Sequence, residues 1–330
     1  MLNYAIIGFG GLGKFHFQNL LKIQKQRGDI CLKAICNSDI ESITKPVSIN
    51  NRDVSVETCD FSKYNLYTDY KEMMKSEKPD FVFVALPTYL HCEVSVYCME
   101  HGAHVFCEKP MAVNLDECRK MIEASEKHDK KLMIGHCLRL EEGYSFLKDA
   151  VQKGTYGKAV RAEFYRKSPL PAWSHDNWML NESKSGGCVV DMAAHDIDIV
   201  NWVFGAPQKI SSACGHKMAA YESVYAILDY GQINVLINCD WGLHSTYKFK
   251  AGYNVTFENA HIEYSCNKIT VITNDDTEEI ILEGGNYHLK EAEEFVEAII
   301  SDRPFETIGT DSVFESMKLL FAIKGKSENA

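Results

Sequence analysis

The chain has 330 residues, of which 45% are apolar and 25% charged, and it carries a formal net charge of −11 at pH 7. This length suits two domains with sizeable cores. The acidic balance argues against nucleic acid as a partner, because phosphate binding needs a basic surface, and no apolar stretch approaches the roughly 20 residues that cross a bilayer.

The first part of the chain alternates short apolar runs with helical segments. The pattern predicts strands at residues 4–7, 30–36, 80–85 and 104–107, and helices from a glycine loop to about 26, then at 70–76, 91–101 and 115–129. Nearly continuous apolar strands separated by helices are typical of a parallel sheet covered on both faces. We therefore expect an α/β fold that begins with a doubly wound Rossmann domain at residues 1–125.

Later segments are mostly strand-like. Strands are predicted at 158–165, 209–216, 224–229, 232–240, 248–256, 260–264 and 268–273, and helices at about 290–301 and 311–324. Successive strands with few helices between them favour an antiparallel sheet. We expect a second α/β domain at residues 126–330, whose C-terminal helix either stays with it or packs back on the first domain.

The twelve cysteines are spread from Cys31 to Cys266 without a C-x-x-C pair. The N-terminus enters a strand-like run at once, so no signal peptide is predicted. Free thiols that behave as small apolar side chains, in a reducing cytoplasm, are therefore expected. The twelve histidines show no H-E-x-x-H pattern and no zinc spacing with cysteine, so no metal site is predicted.

The first chemical motif is G-x-G-x-x-G, placed between a predicted strand and a predicted helix. Its candidate cofactor-binding residues are Gly8, Gly10, Gly11, Leu12 and Gly13. In such loops the glycines allow a tight turn, close approach of a pyrophosphate and close packing of helix on strand. The following helix N-terminus attracts phosphate. A glycine-rich turn without a ligand is the alternative.

The residues after the second strand bear on cofactor selectivity. Asn37 holds the place where an acidic residue accepts hydrogen bonds from the ribose of NAD, and Ser38 and Asp39 follow. A neutral Asn37 does not repel a ribose 2′-phosphate, and no arginine follows to bind one. The sequence leaves NAD and NADP both open, with a slight preference for NAD.

Polar groups also follow the third and fourth strands. The candidate cofactor-binding residues here are Leu86, Pro87, Thr88 and His91 after one strand, and Glu108 and Lys109 after the next. Parallel sheets bind ligands at the carboxyl ends of their strands. A solvated lysine at the edge of a sheet is the alternative for Lys109. His136 and Arg139 come a short distance further along the chain.

A largely apolar helix predicted at residues 186–205 carries Asp191, His195 and Asp198. Spacings of four and then three residues place all three on one helical face. They form either an exposed polar stripe or a proton-handling site. Asp198 either orients His195 or has a capping or surface role, and Asp196 points away and receives no role.

Together these motifs resemble the family of glucose–fructose oxidoreductase, inositol 2-dehydrogenase and the rhizopine-catabolism oxidoreductases (Gfo/Idh/MocA). The resemblance covers the glycine loop, the 87–91 segment, Glu108-Lys109-Pro110, the Asp191/His195 helix and the region around Tyr287, Phe295, Pro304 and Asp311. It implies a Rossmann domain joined to an α/β domain with a large, open, mainly antiparallel sheet. It also implies NAD(P)-dependent oxidation of a sugar or polyol hydroxyl, or the reverse, by a homodimer or homotetramer.

The resemblance gives Lys109, Asp191 and His195 catalytic and substrate-binding roles. His195 is the natural general base because its pKa lies near working pH. Lys109 would stabilise negative charge on the reacting oxygen, and Asp191 would hold a substrate hydroxyl. Inositol itself is in doubt because Leu138 stands where inositol dehydrogenases have a basic residue.

The segment before this helix supplies further candidates for substrate contact. Arg166 and Trp178 come first, followed by Trp173 and His175. The tryptophans could equally pack the junction between domains. Two rival functions remain: an NAD-dependent glycosidase that oxidises its substrate transiently, and a dinucleotide-binding sensor without turnover.

Overall fold

The computed structural model of the chain describes residues 1–49, 52–54, 56, 59–171, 174–216 and 223–328. It divides into two compact units. The first contains Met1–Gly135 and His288–Thr310, and the second contains His136–Tyr287 and Asp311–Ala330. The first unit therefore extends beyond residue 125, and a late segment of the chain returns to it.

Strands and helices alternate through most of the first 135 residues, and strands predominate later. In chain order the first elements are β1 Leu2–Ile7, α1 Gly11–Arg27, β2 Ile30–Cys36, β3 Val47–Ile49, β4 Arg52–Val54, β5 Asn65–Tyr67, α2 Tyr70–Glu77, β6 Phe81–Val84, α3 His91–Glu100, β7 His104–Glu108, α4 Leu115–His128 and β8 Leu132–Gly135. Next come α5 Glu142–Lys153, β9 Ala159–Pro169, α6 Glu182–Ser185, α7 Gly187–Asp191, α8 Ala194–Phe204, β10 Lys209–His216, β11 Ser223–Asp229 and β12 Asn234–Leu243. The last are β13 Lys250–Phe257, β14 His261–Ser265, β15 Lys268–Ile272, β16 Thr277–Ile281, α9 Tyr287–Ile300 and α10 Thr310–Glu328.

The main sheet of the first unit has the strand order β5-β2-β1-β6-β7-β8, and all its pairs are parallel. The predicted Rossmann sheet is thus confirmed. The strand order reverses between β1 and β6, which is where such sheets bind ligands. Both the glycine loop after β1 and the 85–88 segment after β6 leave the sheet at this point.

Aromatic packing explains why α9 belongs to the first unit. Phe83 on β6 stacks on Phe106 of β7 with ring centroids 4.5 Å apart. Phe295 of α9 meets both rings edge-on at 5.4 and 5.8 Å. Edge-to-face pairs of this kind add about 0.5–1.5 kcal/mol beyond the buried area. Helix α9 therefore covers the central strands.

The sheet of the second unit has the order β10-β11-β12-β9-β13-β14-β15-β16. Its pairs are antiparallel except for β12 with β9, so the prediction of a mainly antiparallel sheet is confirmed. Burial alternates along β11, where Val224, Ala226 and Leu228 are buried and Tyr225 and Ile227 are 41% and 40% exposed. One face is thus covered and the other is open.

The helix predicted over 186–205 is interrupted. Helix α7 ends at Asp191 and α8 begins at Ala194. The backbone N–H groups of Met192 and Ala193 both donate to the carbonyl oxygen of Cys188, at 3.0 and 2.8 Å. The second bond spans five residues, as in a π-turn, which inserts one extra residue into the helix.

The cysteine prediction is confirmed as to pairing and burial. All twelve cysteines are free, and eight are buried. Burial raises the pKa of the Cys118 thiol to about 12, so it stays protonated near neutral pH. No helix in the described part of the chain is both long and apolar enough to cross a membrane.

Candidate active site

The glycine loop is shaped by three glycines that are constrained differently. A Cβ at Gly13 would lie 2.0 Å from the Gly8 carbonyl oxygen, and a Cβ at Gly8 would lie 2.3 Å from the Ala85 carbonyl oxygen. Gly8 also has a φ of 88°, which side chains rarely tolerate. A Cβ at Gly10, by contrast, meets no atom of the described chain within 4 Å. Packing therefore requires Gly8 and Gly13, whereas Gly10 leaves an open side.

That open side fits a dinucleotide pyrophosphate. Gly10 is the N-cap of α1, no side chain caps the helix there, and its first turn has no acidic residue. The exposed backbone N–H groups and the helix dipole can therefore bind phosphate. Gly11 and Leu12 occupy the first turn of the same helix.

Asn37 links the glycine loop to the loop after β2. Its Oδ1 accepts from the backbone N–H of Phe9 at 2.9 Å, and its Nδ2 donates to the Asp39 carbonyl oxygen at 2.8 Å and to Ser42 Oγ at 3.0 Å. Its neighbour Ser38 is exposed. Asn37 thus has a structural role that its place in the motif did not reveal.

Lys14 is a residue that the sequence motifs missed. Its side chain is 1% exposed. Its Nζ donates to the carbonyl oxygens of Ser42, at 3.0 Å, and Lys45. Burial lowers the pKa of this ammonium. Asn37 and Lys14 thus bind residues 39–45 of the loop after β2, which would face the adenosine ribose.

His91 connects the segments after β6 and β7. Its Nδ1 lies 2.8 Å from the Pro110 carbonyl oxygen and its Nε2 lies 2.8 Å from that of Leu86. Burial lowers the pKa of His91 and outweighs these two contacts, which raise it. The ring thereby joins the backbone of the two segments. Thr88 is buried and Pro87 half-buried in the same segment.

Glu108 turns its carboxylate into the first unit at the end of β7. Its Oε1 lies 2.6 Å from His16 Nε2, and its Oε2 accepts from the Lys109 backbone N–H at 3.2 Å. Burial alone would raise its pKa, but the hydrogen bond and charge of His16 hold the pKa at about 2. Lys109 follows as a half-buried residue, and the Lys109–Pro110 peptide bond is cis.

Asp191 and His195 lie in the second unit, on either side of the wide turn between α7 and α8. Asp191 ends α7 and is 8% exposed, and His195 occupies the first turn of α8 and is half-buried. Gly186 precedes α7 and Gly187 begins it, with φ of 75° and 76°, which glycine adopts readily. The sequence did not predict the turn between α7 and α8, because the largely apolar residues 186–205 are typical of one continuous helix.

The two other carboxylates of this segment anchor α8. Asp196 accepts two bonds from Arg166 of β9, at 2.8 Å from Nε and 3.2 Å from Nη2. Asp198 accepts from Arg139 Nε at 2.9 Å and Nη2 at 2.6 Å. All four residues are at most 5% exposed. The helix that carries His195 is thus held by two bidentate ion pairs, which are stronger than neutral hydrogen bonds.

These pairs change two expectations. Asp198 is buried rather than on the surface, and Arg139 and His136 hold its pKa below the usual value although burial acts to raise it. Asp196, which received no role from the sequence, is the partner of Arg166. Arg166 is expected from the sequence to contact substrate, but its guanidinium is bound to Asp196 and the residue is 5% exposed.

The tryptophan segment is described in part. Trp178 is half-buried in the 3₁₀ segment His175–Leu180. His175 begins that segment, and its side chain lies outside the described part of the chain, as does all of Trp173. The exposed Asp176 and Asn177 have φ of 52° and 50°, a conformation that Asn and Asp tolerate better than most residues.

Comparison with known proteins identifies the family. A family model described as "Oxidoreductase family, NAD-binding Rossmann fold" matches residues 2–136, and the "GFO/IDH/MocA C-terminal domain" matches residues 144–263. The chain belongs to the Gfo/Idh/MocA family. The resemblance expected from the sequence motifs is thereby confirmed.

Similar Gfo/Idh/MocA proteins include enzymes that act on inositol and on an anhydro sugar. The myo-inositol 2-dehydrogenase of Thermotoga maritima is 30% identical over 62% of this chain and 55% of its own length. The 2,7-anhydro-N-acetylneuraminate hydratase of Mediterraneibacter gnavus is 27% identical over 70% of this chain and 61% of its own. The chain thus matches little more than half the length of these relatives.

A solved structure confirms the fold over nearly the whole chain. The myo-inositol 2-dehydrogenase of Lactobacillus plantarum superposes with a TM-score of 0.78 at 23% identity, covering 99% of this chain and 97% of its own.

Proposed function

We propose that this chain is an NAD(P)-dependent dehydrogenase or reductase that transfers hydride between a sugar or polyol CH–OH group and nicotinamide. The observation that carries the proposal is the glycine loop with an open Gly10, which leaves the sheet where the strand order reverses. Lys109 follows β7 at the carboxyl end of the same sheet. Family membership supports the same reaction class.

The geometry supports the following proposal for the cofactor residues. The start of α1 and the loop before it would hold the pyrophosphate, through Gly8, Gly10, Gly11, Leu12 and Gly13. Asn37 and Ser38 would contact the ribose. The residues proposed to line the nicotinamide side are Leu86, Pro87, Thr88, His91, Glu108 and Lys109. The bound dinucleotide supplies the hydride acceptor or donor. We propose NAD rather than NADP, because no arginine follows Asn37.

The residues proposed for the chemistry are Lys109, Asp191 and His195. In the oxidative direction His195 removes the hydroxyl proton, Lys109 stabilises the charge that develops on that oxygen, and Asp191 positions the hydroxyl. The ion pairs of Asp196 and Asp198 support this assignment, because they fix the helix on which His195 lies. Trp178 is proposed to contact the sugar, whereas Arg166 acts through Asp196.

A second candidate is a reaction without net oxidation, in which the substrate is oxidised transiently and then hydrated or hydrolysed. The similarity of this chain to the anhydro-sugar hydratase, which extends over 70% of the chain, supports this second candidate. It uses the same dinucleotide loop and the same base, but it returns the hydride to the substrate.

The test is a panel of polyols, aldoses, anhydro sugars and glycosides incubated with NAD⁺ and with NADP⁺. A dehydrogenase produces reduced cofactor in proportion to product. Product formation without net reduced cofactor would favour the second candidate. Cofactor binding without any product across the panel would contradict both and favour a sensor.

We also propose that the protein acts as a homodimer or homotetramer. The supporting observation is the open face of the second sheet, where Tyr225 and Ile227 pair with Asn238 and Leu236 of β12. Exposed apolar side chains grouped on a flat sheet are typical of surfaces that a partner covers.

A further inference from the structure

Four side chains that could ligate a metal converge inside the first unit. They are His16 of α1, Glu108 at the end of β7, and His288 and Glu291 of α9. One ligand atom from each lies within 4.8 Å of the others. His16 and Glu291 are 0% exposed and Glu108 is 3% exposed, while the His288 side chain is 21% exposed.

The four form two imidazole–carboxylate pairs. His16 Nε2 lies 2.6 Å from Glu108 Oε1, and His288 Nδ1 lies 2.9 Å from Glu291 Oε1. Tetrahedral coordination with bonds of about 2.0–2.1 Å requires ligand atoms about 3.3 Å apart. Each pair would therefore open by less than about 1 Å, which rotation of the side chains can supply.

The cluster leaves buried polar atoms unsatisfied. Glu291 Oε2 and His16 Nδ1 are buried without a hydrogen-bond partner among the described residues. Such atoms are rare in folded proteins and call for an explanation. With a metal bound, two neutral imidazoles and two ionised carboxylates would carry a charge of −2, which a divalent cation neutralises.

We propose that His16, Glu108, His288 and Glu291 form a binding site for a divalent transition metal, with Zn²⁺ as the best match. Two imidazole nitrogens and two carboxylate oxygens suit Zn²⁺ in charge and in ligand type. His16, Glu108 and Glu291 are at most 3% exposed, and such burial is typical of structural rather than catalytic zinc sites.

The metal would stabilise the backbone beside the proposed active site. It would join α1, β7 and α9, which come from three distant parts of the chain. Glu108 also accepts the Lys109 backbone N–H, so fixing its carboxylate fixes the start of the Glu108-Lys109-Pro110 segment. Local spacing in the sequence cannot reveal such a site, which is why no metal was expected. The inference does not depend on the reaction proposed above.

The test uses the full-length protein, freed of any affinity tag, treated with chelator and then titrated with Zn²⁺. We expect one Zn²⁺ per chain by elemental analysis after desalting, and a Tm several degrees above that of the chelated protein. Co²⁺ should replace it and give the visible absorption of a tetrahedral nitrogen and oxygen site.

The decisive variant is His288→Ala, since this histidine reaches the surface and its loss should not prevent folding. It should weaken Zn²⁺ binding by more than about 100-fold, because loss of even an outer partner costs roughly 10–100-fold. His101→Ala, at an exposed histidine of the turn after α3, is the matched control and should bind normally. Glu291→Gln, which keeps the side-chain volume, should weaken binding to a similar degree.

Two results would overturn the proposal. One is that the protein binds no stoichiometric Zn²⁺ and has the same Tm in chelator and in Zn²⁺. The two imidazole–carboxylate pairs would then be hydrogen-bonded pairs that hold no metal. The other is equal Zn²⁺ affinity in wild type, His288→Ala and Glu291→Gln, which would place the metal elsewhere on the surface.

Discussion

Gly10 is the residue at which the cofactor proposal is most directly tested. Gly10→Val adds a side chain into space that no described atom fills, so the protein should fold but lose dinucleotide binding. Gly13→Val should instead prevent folding, because its Cβ would lie 2.0 Å from the Gly8 carbonyl oxygen. Calorimetry with NAD⁺ and circular dichroism separate the two outcomes. Unchanged NAD⁺ affinity in Gly10→Val would exclude binding at this loop.

Asn37 is the residue that tests a second proposal, the preference for NAD over NADP. Asn37→Asp should raise the preference for NAD over NADP by about tenfold or more, because two unit charges about 4 Å apart at a protein surface repel by roughly 4 kcal/mol. It should also lower Tm, since the Nδ2 bonds to Asp39 and Ser42 are lost at about 0.5–1.5 kcal/mol each. The measurement is kcat/KM with each cofactor. If the ratio stays constant and Asp39→Asn changes it, Asp39 interacts with the ribose.

His195 and Lys109 test the chemistry itself. His195→Ala and Lys109→Ala should each lower kcat by about 10²–10⁴ with little change in dinucleotide affinity. In the oxidative direction the rate should rise with pH as the imidazole loses its proton, and His195→Ala should remove that limb of the kcat/KM profile. His101→Ala is the control. Near-normal turnover in either active-site variant would show that the assignment is wrong.

Sequence patterns predicted the residues that belong to local motifs and missed those that act across the fold. The glycine loop and Lys109 follow strands directly, so their positions could be inferred from strand order. Lys14 binds carbonyl oxygens 28 and 31 residues away in sequence, and Asp196 binds an arginine on another element. A single sequence does not show whether a charged residue is solvated or is buried against a partner that lies far away in the chain.

Among the elements, α8 is held by two ion pairs and carries His195, the proposed general base. Asp198→Asn should destabilise the protein by about 3–5 kcal/mol, because it removes the buried carboxylate that Arg139 binds through two charged hydrogen bonds. It should also lower kcat, since α8 carries His195. Asp149→Asn, at an exposed residue paired with Lys153, is the matched control and should change stability by less than about 1 kcal/mol.

The effect of Asp198→Asn should depend on pH. The folded-state pKa of Asp198 is lowered, so its contribution is complete above the unfolded pKa of about 3.9 and is lost as pH falls through the folded pKa. The difference in Tm between wild type and Asp198→Asn should therefore be largest near neutral pH and shrink below about pH 4. A constant difference at all pH values down to the folded pKa would contradict the ion-pair role.

Element boundaries were predicted well for strands with a continuous apolar run. They were missed where a strand shows no clear alternation or where a helix is interrupted. The parallel strands β1, β6 and β7 each contain a continuous apolar run and were predicted within a few residues. Strand β16 was missed because its sequence, TEEII, shows no clear alternation. The break between α7 and α8 was missed because an inserted π-turn leaves the apolar composition unchanged.

For the molecule as a whole, the open sheet face predicts assembly. Tyr225→Glu combined with Ile227→Glu should convert the proposed dimer or tetramer into smaller species, because it places charges on the face that a partner would cover. Leu66→Glu, at an exposed residue of the edge strand β5, is the control and should leave the mass unchanged. Light scattering coupled to size exclusion measures the mass. A monomeric wild type would remove the basis for this surface.

The return of residues 288–310 to the first unit has a consequence for synthesis on the ribosome. The strands of its main sheet are all translated by residue 135, but the helix whose Phe295 covers Phe83 and Phe106 emerges only after the entire second sheet. Until then an apolar patch of the nascent sheet faces water. The first unit is therefore expected to need a chaperone or a transient cover during translation, and to complete its folding only after the strands of the second sheet have been made.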